Sequence, residues 1–447
     1  MKVYFDTLGC MKNQDDSDMA MGILEKAGHT HVSDPADADV IIVNTCGFIE
    51  PAKRESIDEI FDMASYREQG KKILVSGCLV QRYAEDLFKE IGEVDGMIGV
   101  NDYEKLPAML DRLEQGERVL TSNGFDQKTD AFGYAEESKY VEEGAWSAYL
   151  RISEGCDRNC AYCAIPAIRG PYRSKPMDSI LREASMLAGK GVKELVVIAE
   201  DTGLYGFDLY GKPALAELLQ KLCGVEGIRW IRLMYCYEDN ITPELVDVIA
   251  SEEKICKYID IPLQHASDRV LKRMRRKTTR KEIEEKIAML REKIPGIAVR
   301  TTFITGFPGE TEEDVACLMD FIRKERFARM GVFAFSREEG TPAYDMDGQV
   351  PDDVKEERRD ALMLEQLQIS NELNRELIGK TMDVLVEEAG EDGSCSGRTR
   401  FDAPDIDDGV IFTAAKPHRP GDIVKVTIED AFDYDITGKE NVSESTK

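Results

Sequence analysis

The sequence has no run of about 18 apolar residues, the length that a membrane-spanning helix needs. Residues 1–6 also lack the basic and then apolar pattern of a secretory signal. We therefore expect a cytoplasmic protein that has no membrane-spanning segment.

Basic residues are in short supply, since 58 Lys and Arg stand against 86 Asp and Glu and give a net charge of −28. Nucleic-acid binding depends on Lys and Arg that neutralise phosphates, so this charge disfavours a nucleic-acid partner. It would instead attract a basic partner. The alternative is that the charge serves solubility alone.

The chain contains 11 cysteines. In a reducing compartment, cysteines rarely form a disulfide framework, and metal or redox chemistry is the better interpretation.

The length of 447 residues predicts two or three domains. Strands alternating with helices over residues 1–120 predict an α/β domain with a parallel, Rossmann-like sheet. Residues 121–144 are polar and predict a linker. Repeated β-then-α units over 145–377 predict a full or partial (β/α) barrel, whose chemistry lies at the C-terminal strand ends. Short alternating strands and Gly- and Asp-rich turns over 378–447 predict a small all-β barrel.

Three cysteines of the middle domain, Cys156, Cys160 and Cys163, lie within eight residues, directly after its first predicted strand. Three thiolates on a four-iron cluster leave one iron open to bind a small molecule. The alternative is zinc, but structural zinc normally has four ligands, and no fourth Cys or His lies nearby in the sequence. The spacing therefore favours an iron–sulfur cluster.

Three cysteines of the first domain, Cys10, Cys46 and Cys78, each follow a predicted strand and adjoin a glycine. The C-terminal ends of parallel strands cluster around one crevice, so these thiols can converge although they are far apart in sequence. The alternative is three buried structural cysteines. The shared position favours a second three-thiolate cluster. The other five cysteines share no spacing and are interpreted as core or surface thiols: Cys223, Cys236, Cys256, Cys317 and Cys395.

The spacing of Cys156, Cys160 and Cys163 resembles the signature of radical S-adenosylmethionine (SAM) enzymes. The resemblance implies that the cluster passes an electron to SAM, which splits into methionine and a 5′-deoxyadenosyl radical. It also implies no catalytic acid or base from the protein.

The same resemblance implies three SAM contacts. Tyr162 matches the aromatic residue beside the adenine, and Gly306 lies in a segment that resembles the later adenine-contacting turn. Glu200 stands where the family has Gln before Asp-Thr, and its carboxylate could hold the amino group of SAM. The alternatives are loop packing for Tyr162 and a helix cap for Glu200.

The two cysteine triplets, the linker and the acidic β domain together resemble the methylthiotransferases over nearly the whole chain. The resemblance implies two 4Fe-4S clusters, a methylthiotransferase N-terminal domain, a radical SAM core and a C-terminal TRAM domain. One SAM would methylate a sulfur at the auxiliary cluster, and a second would supply the radical. A sulfide source and an electron donor such as flavodoxin or ferredoxin are implied as partners.

Segments of the middle domain resemble the branch that modifies the β-carbon of an aspartate in a small-subunit ribosomal protein. These segments are residues 163–174, 260–265 and 335–341. The charge of the last domain agrees with a protein substrate. Residues 380–447 carry 16 acidic and 8 basic side chains, and this acidic surface suits a basic ribosomal protein better than RNA. Two alternatives stay open: the same chemistry on an adenosine of tRNA, and a ribosome- or RNA-binding factor with structural clusters.

Overall fold

The computed structural model describes residues 1–124 and 139–442. Most of the predicted linker, 125–138, lies outside the described residues. None of the helices in the described ranges combines the length and apolar character that crossing a membrane requires.

The first part of the chain folds as a parallel six-stranded sheet, with strand order β2-β1-β3-β4-β5-β6. The third strand is buried along its whole length, as expected for a central strand covered on both faces. The prediction of a parallel sheet is confirmed. Its elements are β1 (Lys2–Thr7), α1 (Met11–Lys26), β2 (Thr30–His31), β3 (Val40–Thr45), α2 (Glu50–Ala64), β4 (Lys72–Gly77), α3 (Cys78–Glu90), β5 (Gly96–Ile98), α4 (Leu106–Glu114) and β6 (Val119–Thr121).

The middle of the chain forms a second parallel sheet of six strands, in the order β14-β13-β12-β11-β10-β7. The sheet stays open, so the predicted full or partial barrel is a partial one. Its elements are β7 (Ser147–Arg151), β8 (Ser153–Glu154), α5 (Ile165–Arg169), β9 (Arg173–Ser174), α6 (Met177–Gly189), β10 (Glu194–Ile198), α7 (Phe207–Tyr210), α8 (Leu215–Cys223), β11 (Trp230–Leu233), α9 (Pro243–Ser251), β12 (Ile255–Gln264), α10 (Asp268–Arg273), α11 (Arg280–Lys293), β13 (Ala298–Thr305), α12 (Glu312–Glu325), β14 (Arg329–Ala334) and α13 (Asp352–Arg375).

The last part of the chain closes into a five-stranded barrel, in the order β15-β16-β17-β19-β18. Its strands alternate buried and exposed side chains, because one face lines the small core and the other meets solvent. The predicted all-β barrel is confirmed. Its strands are β15 (Thr381–Ala389), β16 (Ser394–Thr399), β17 (Val410–Thr413), β18 (Ile423–Ala431) and β19 (Ile436–Glu440).

A buried carboxylate joins this small barrel to the middle domain. Glu194, at the start of β10, accepts hydrogen bonds from Arg232 at 2.9 Å and from Arg398 of β16 at 2.7 Å. Burial alone would raise its pKa, but the two guanidinium groups outweigh burial and lower the pKa of Glu194 to about 2. The ion pairs therefore hold the two domains together at neutral pH.

Replacing this carboxylate is expected to loosen the joint. Glu194→Gln leaves the buried guanidinium of Arg232 without a counter-charge and leaves Arg398 with Glu387 alone, which should cost about 3–5 kcal/mol of stability. Differential scanning calorimetry and limited proteolysis between the two domains measure this loss. Glu217→Gln, which removes an exposed partner of Lys221, is the matched control and should leave the melting temperature unchanged.

Glu194 also makes the stability of the protein depend on pH. Its folded-state pKa lies below the ordinary value of 4.5, so its contribution is complete above about pH 4.5 and is lost as the pH falls toward 2. A wild-type protein as acid-sensitive as the Glu194→Gln variant would contradict the assignment.

Candidate functional site

The three cysteines of the first domain follow the C-terminal ends of three adjacent strands. Cys10 follows β1, Cys46 follows β3, and Cys78 follows β4. Cys46 and Cys78 are buried, whereas Cys10 is exposed. The crevice at this edge of the sheet therefore has an open side at Cys10.

The side-chain amide of Asn13 forms hydrogen bonds at the ends of these strands. The Oδ1 atom of Asn13, on the first turn of α1, accepts from the Cys10 thiol at 3.6 Å and from the Cys78 thiol at 3.8 Å. Its Nδ2 atom donates to the carbonyl of Thr45 at 3.0 Å. Asn13 thus contacts the ends of all three strands, and the sequence analysis did not identify it.

Glycines next to Cys10 and Cys46 allow the strand ends that carry the three cysteines to approach each other closely. A Cβ atom on Gly9, whose φ is +98°, would lie 2.9 Å from the Cβ of Cys46. A Cβ atom on Gly47 would lie 2.8 Å from the carbonyl oxygen of Cys78. Glycine is therefore required at positions 9 and 47, beside Cys10 and Cys46, because the strand ends approach too closely for a side chain.

The three cysteines of the middle domain lie in the loop between β8 and α5. The backbone N–H of Arg158 donates to the Cys156 sulfur at 3.4 Å, and that of Ile165 donates to the Cys163 sulfur at 3.4 Å. Burial nevertheless raises the pKa of Cys156 to about 12, so the free thiol stays protonated. A bound iron would remove this proton and hold the thiolate.

The spacing of the thiols bears on which metal they fit. Within residues 1–124 and 139–442, no three Cys, His, Asp or Glu side chains converge closely enough to hold a single metal ion. Zinc holds thiolates at about 2.3 Å, which requires such tight convergence. A cluster of four irons is larger and sets its ligands further apart. Each triplet supplies three thiols, one fewer than a structural zinc site normally has, so a cluster stays the better prediction for both.

A single arginine connects the two triplets. Arg169 ends the short helix α5, which begins two residues after Cys163. Its Nη2 atom donates to the Cys78 sulfur at 3.2 Å and to Asp16 of α1 at 2.7 Å. The loop that carries one triplet is thereby anchored against a thiol of the other.

Glu200, just beyond the end of β10, is a carboxylate without a partner. It is 8% exposed, and neither of its oxygens accepts a hydrogen bond from the described residues. Burial, with a smaller contribution from Glu154, raises the pKa of Glu200 to about 7. A buried carboxylate with both oxygens free fits the amino group of SAM.

The other two predicted SAM contacts lie near the same loops. Tyr162 packs against the cluster of Val270, Met274, Phe307 and Phe335, and no described residue bonds its buried hydroxyl. At Gly306, φ is +70° and a Cβ atom would lie 2.1 Å from Lys355. Packing therefore already requires glycine at 306. Both contacts with SAM stay predictions.

Two barrel strands end in strained backbone. Tyr235 follows β11 with φ of 53°, and Gln264 ends β12 with φ of 71°. Non-glycine residues rarely adopt such angles, and these strains concentrate at functional sites. The Tyr235 ring lies under the ammonium of Lys12, 4.0 Å from the ring centre. No sequence signal pointed to Lys12 or Tyr235.

Known proteins resemble this chain in each of its parts. A model of the Radical SAM superfamily matches residues 150–322, a model described as Uncharacterized protein family UPF0004 matches 2–99, and a TRAM domain model matches 378–440. The solved radical SAM methyltransferase TsrM from Kitasatospora setae superposes with a TM-score of 0.56 at 15% identity, over 76% of this chain and 73% of that one. The fold and the cluster loop thus define a radical SAM enzyme.

Relatives that match this chain over its whole length identify the family within the radical SAM class. The Ribosomal protein uS12 methylthiotransferase RimO of Clostridioides difficile (strain 630) is 47% identical over 441 residues, which cover 98% of each chain. The protein of the same name from Acetivibrio thermocellus is 46% identical, over 100% of this chain and 99% of that one. The chain belongs to the RimO family of methylthiotransferases. It is a radical SAM enzyme that transfers sulfur-containing groups, and its cofactors are two 4Fe-4S clusters and SAM.

Iron analysis can assign the ligands. Anaerobically reconstituted wild type should contain about eight irons per chain, and Cys10→Ala and Cys156→Ala about four each, because each variant loses one cluster. Cys256→Ala, which removes a buried cysteine outside both triplets, is the control and should keep all the iron. Full iron content in Cys10→Ala would contradict a cluster in the first domain.

Proposed function

We propose that this enzyme inserts a methylthio group at the β-carbon of an aspartate in ribosomal protein uS12 and uses two SAM molecules per turnover. The observation that carries the proposal is a contact between the two triplets: Arg169, six residues after Cys163, donates to the sulfur of Cys78. The names and the full-length similarity of the relatives support the substrate.

We assign the cluster ligands residue by residue. Cys10, Cys46 and Cys78 would hold the auxiliary cluster, and Cys156, Cys160 and Cys163 the cluster that binds SAM. Each set supplies three thiolates and leaves one iron open. We also propose the domain limits of 1–120, 145–377 and 378–447, with a linker between the first two.

When bound, the clusters and SAM supply an electron, a radical that removes hydrogen, and a methylated sulfur. The reaction also needs a low-potential electron donor, such as flavodoxin or ferredoxin, and a sulfide source. The protein contributes position and the exclusion of water. Glu200 would hold the amino group of SAM and Tyr162 its adenine, beside the loop that Arg169 anchors.

The charge of the last domain supports a basic protein as substrate. Residues 380–447 carry 16 acidic and 8 basic side chains, a net charge of −8. Such a surface repels the phosphates of tRNA and attracts a basic ribosomal protein.

Mass spectrometry of the products tests the substrate. Reconstituted enzyme with SAM, sulfide and a reductant should add a methylthio group to purified uS12 and leave tRNA unchanged. Cys156→Ala, assigned to the SAM-binding cluster, should add none. A methylthiolated tRNA nucleoside beside unmodified uS12 would establish the tRNA alternative. Absence of 5′-deoxyadenosine from the wild type would support a structural role for the clusters.

SAM affinity is expected to depend on pH through Glu200. Its pKa of about 7 means that the carboxylate is mostly protonated at about pH 6 and mostly charged at about pH 8. Only the charged form pairs with an ammonium group, so the Kd for SAM should fall as the pH rises. Isothermal titration calorimetry under anaerobic conditions measures this change.

Glu200→Gln is the matched control for this effect. It keeps the shape but cannot titrate, so its Kd should change less over the same pH range. Equal pH dependence in the two proteins would show that Glu200 does not contact the amino group of SAM.

A further inference from the structure

Lys12 places a positive charge between the two candidate cluster sites. It lies on the first turn of α1, two residues after Cys10. Its ammonium lies 3.4 Å from the carbonyl oxygen of Ala199, next to Glu200, and 4.0 Å from the centre of the Tyr235 ring. Ala199 and Tyr235 follow the C-terminal ends of β10 and β11. The side chain therefore reaches from the first domain into the mouth of the barrel.

This cation differs from the other buried cations of the described chain. It is 8% exposed, and no described carboxylate lies within 4.0 Å of its ammonium, although Glu200 is near enough to raise the pKa of Lys12. Its two contacts are a carbonyl oxygen and a ring face, neither of which carries a net charge. By contrast, a carboxylate lies within 4.0 Å of each of the other buried Lys and Arg side chains: Lys139, Arg151, Arg169, Lys175, Arg232, Arg276, Lys355 and Arg398.

A buried charge without an ion-pair partner in contact is costly, so such a group points to a ligand of opposite sign. Glu200 has both oxygens free of hydrogen bonds, so Lys12 does not bond to it. The Lys12 ammonium is therefore available to an external carboxylate.

We propose that Lys12 binds the side-chain carboxylate of the target aspartate. This inference rests on the proposed function, in which the β-carbon of that aspartate must lie between the two cluster sites. The carboxylate is bonded directly to the β-carbon. A cation fixed between the sites would hold the carboxylate and thereby place the β-carbon within reach of both. Lys12 would then select aspartate over uncharged side chains.

The experiment compares two substrates on matched enzymes. The substrates are uS12 and a uS12 variant in which the target aspartate is replaced by asparagine. The enzymes are wild type, Lys12→Met, Lys12→Arg and Lys26→Gln, the last of which changes an exposed lysine of the same helix. Binding to each reconstituted enzyme is measured by anaerobic titration, and product by mass spectrometry.

Wild type and Lys26→Gln should bind and modify the aspartate substrate in preference to the asparagine substrate. Lys12→Met should lose on the order of a hundredfold in kcat/KM for the aspartate substrate, as expected for removing one partner of a buried charge pair. It should also bind the two substrates equally. Lys12→Arg keeps the charge and should keep a preference for aspartate.

Several results would overturn the inference. Lys12→Met could keep the wild-type preference, which would show that the carboxylate lies elsewhere. It could instead lose SAM affinity, which would assign Lys12 to the carboxylate of SAM, or lose iron, which would assign it to the cluster. Failure of wild type to modify uS12 would overturn the proposed function as well, whereas normal modification by Lys12→Met would overturn this inference alone.

Discussion

The position of the two thiol sites relative to each other depends on a buried ion pair between Asp16 of α1 and Arg169 of α5, whose atoms lie 2.7 Å apart. The pair belongs to a larger group, because Arg151 donates to Asp16 at 2.7 Å and Arg169 also lies 3.4 Å from Glu154. Charges buried this deeply are stable only when every member has a partner. The first and middle domains are therefore fixed in one relative orientation.

Joining two domains by such a network costs free energy, because each buried charge loses its hydration. Apolar side chains of similar volume often give equal or greater stability, so stability alone does not explain the charges. Arg169 also donates to the sulfur of Cys78 at 3.2 Å. A guanidinium has several donors in a fixed plane and can serve a carboxylate and a thiolate together, which an apolar side chain cannot. The same residue thus joins the domains and would support the negative charge of the cluster that we propose at Cys78.

Local sequence patterns predicted the strands and helices well, whereas contacts between residues far apart in the sequence could not be predicted. The segment Glu194–Ile198, apolar after its first residue, predicted its strand to the residue, because a buried parallel strand has a nearly continuous apolar sequence. Cys10, Cys46 and Cys78 could be grouped because each follows a strand. The connection of Asp16 to Arg169 spans 153 residues, and no local pattern marks either partner. Asn13, Lys12 and Tyr235 were missed for the same reason.

Two unpaired charges of opposite sign, on Lys12 and Glu200, lie in the mouth of the barrel. Burial without a partner costs free energy, and an ion pair between the two would recover part of that cost. The fold instead holds Lys12 against the carbonyl of Ala199 and the ring of Tyr235, whose backbone is strained. Neither group has an ion-pair partner in contact, which agrees with the proposed ligands: an ammonium group for Glu200 and a carboxylate for Lys12. Each proposed ligand would bring the counter-charge that the fold does not supply in contact, and its binding would offset part of the cost of burial.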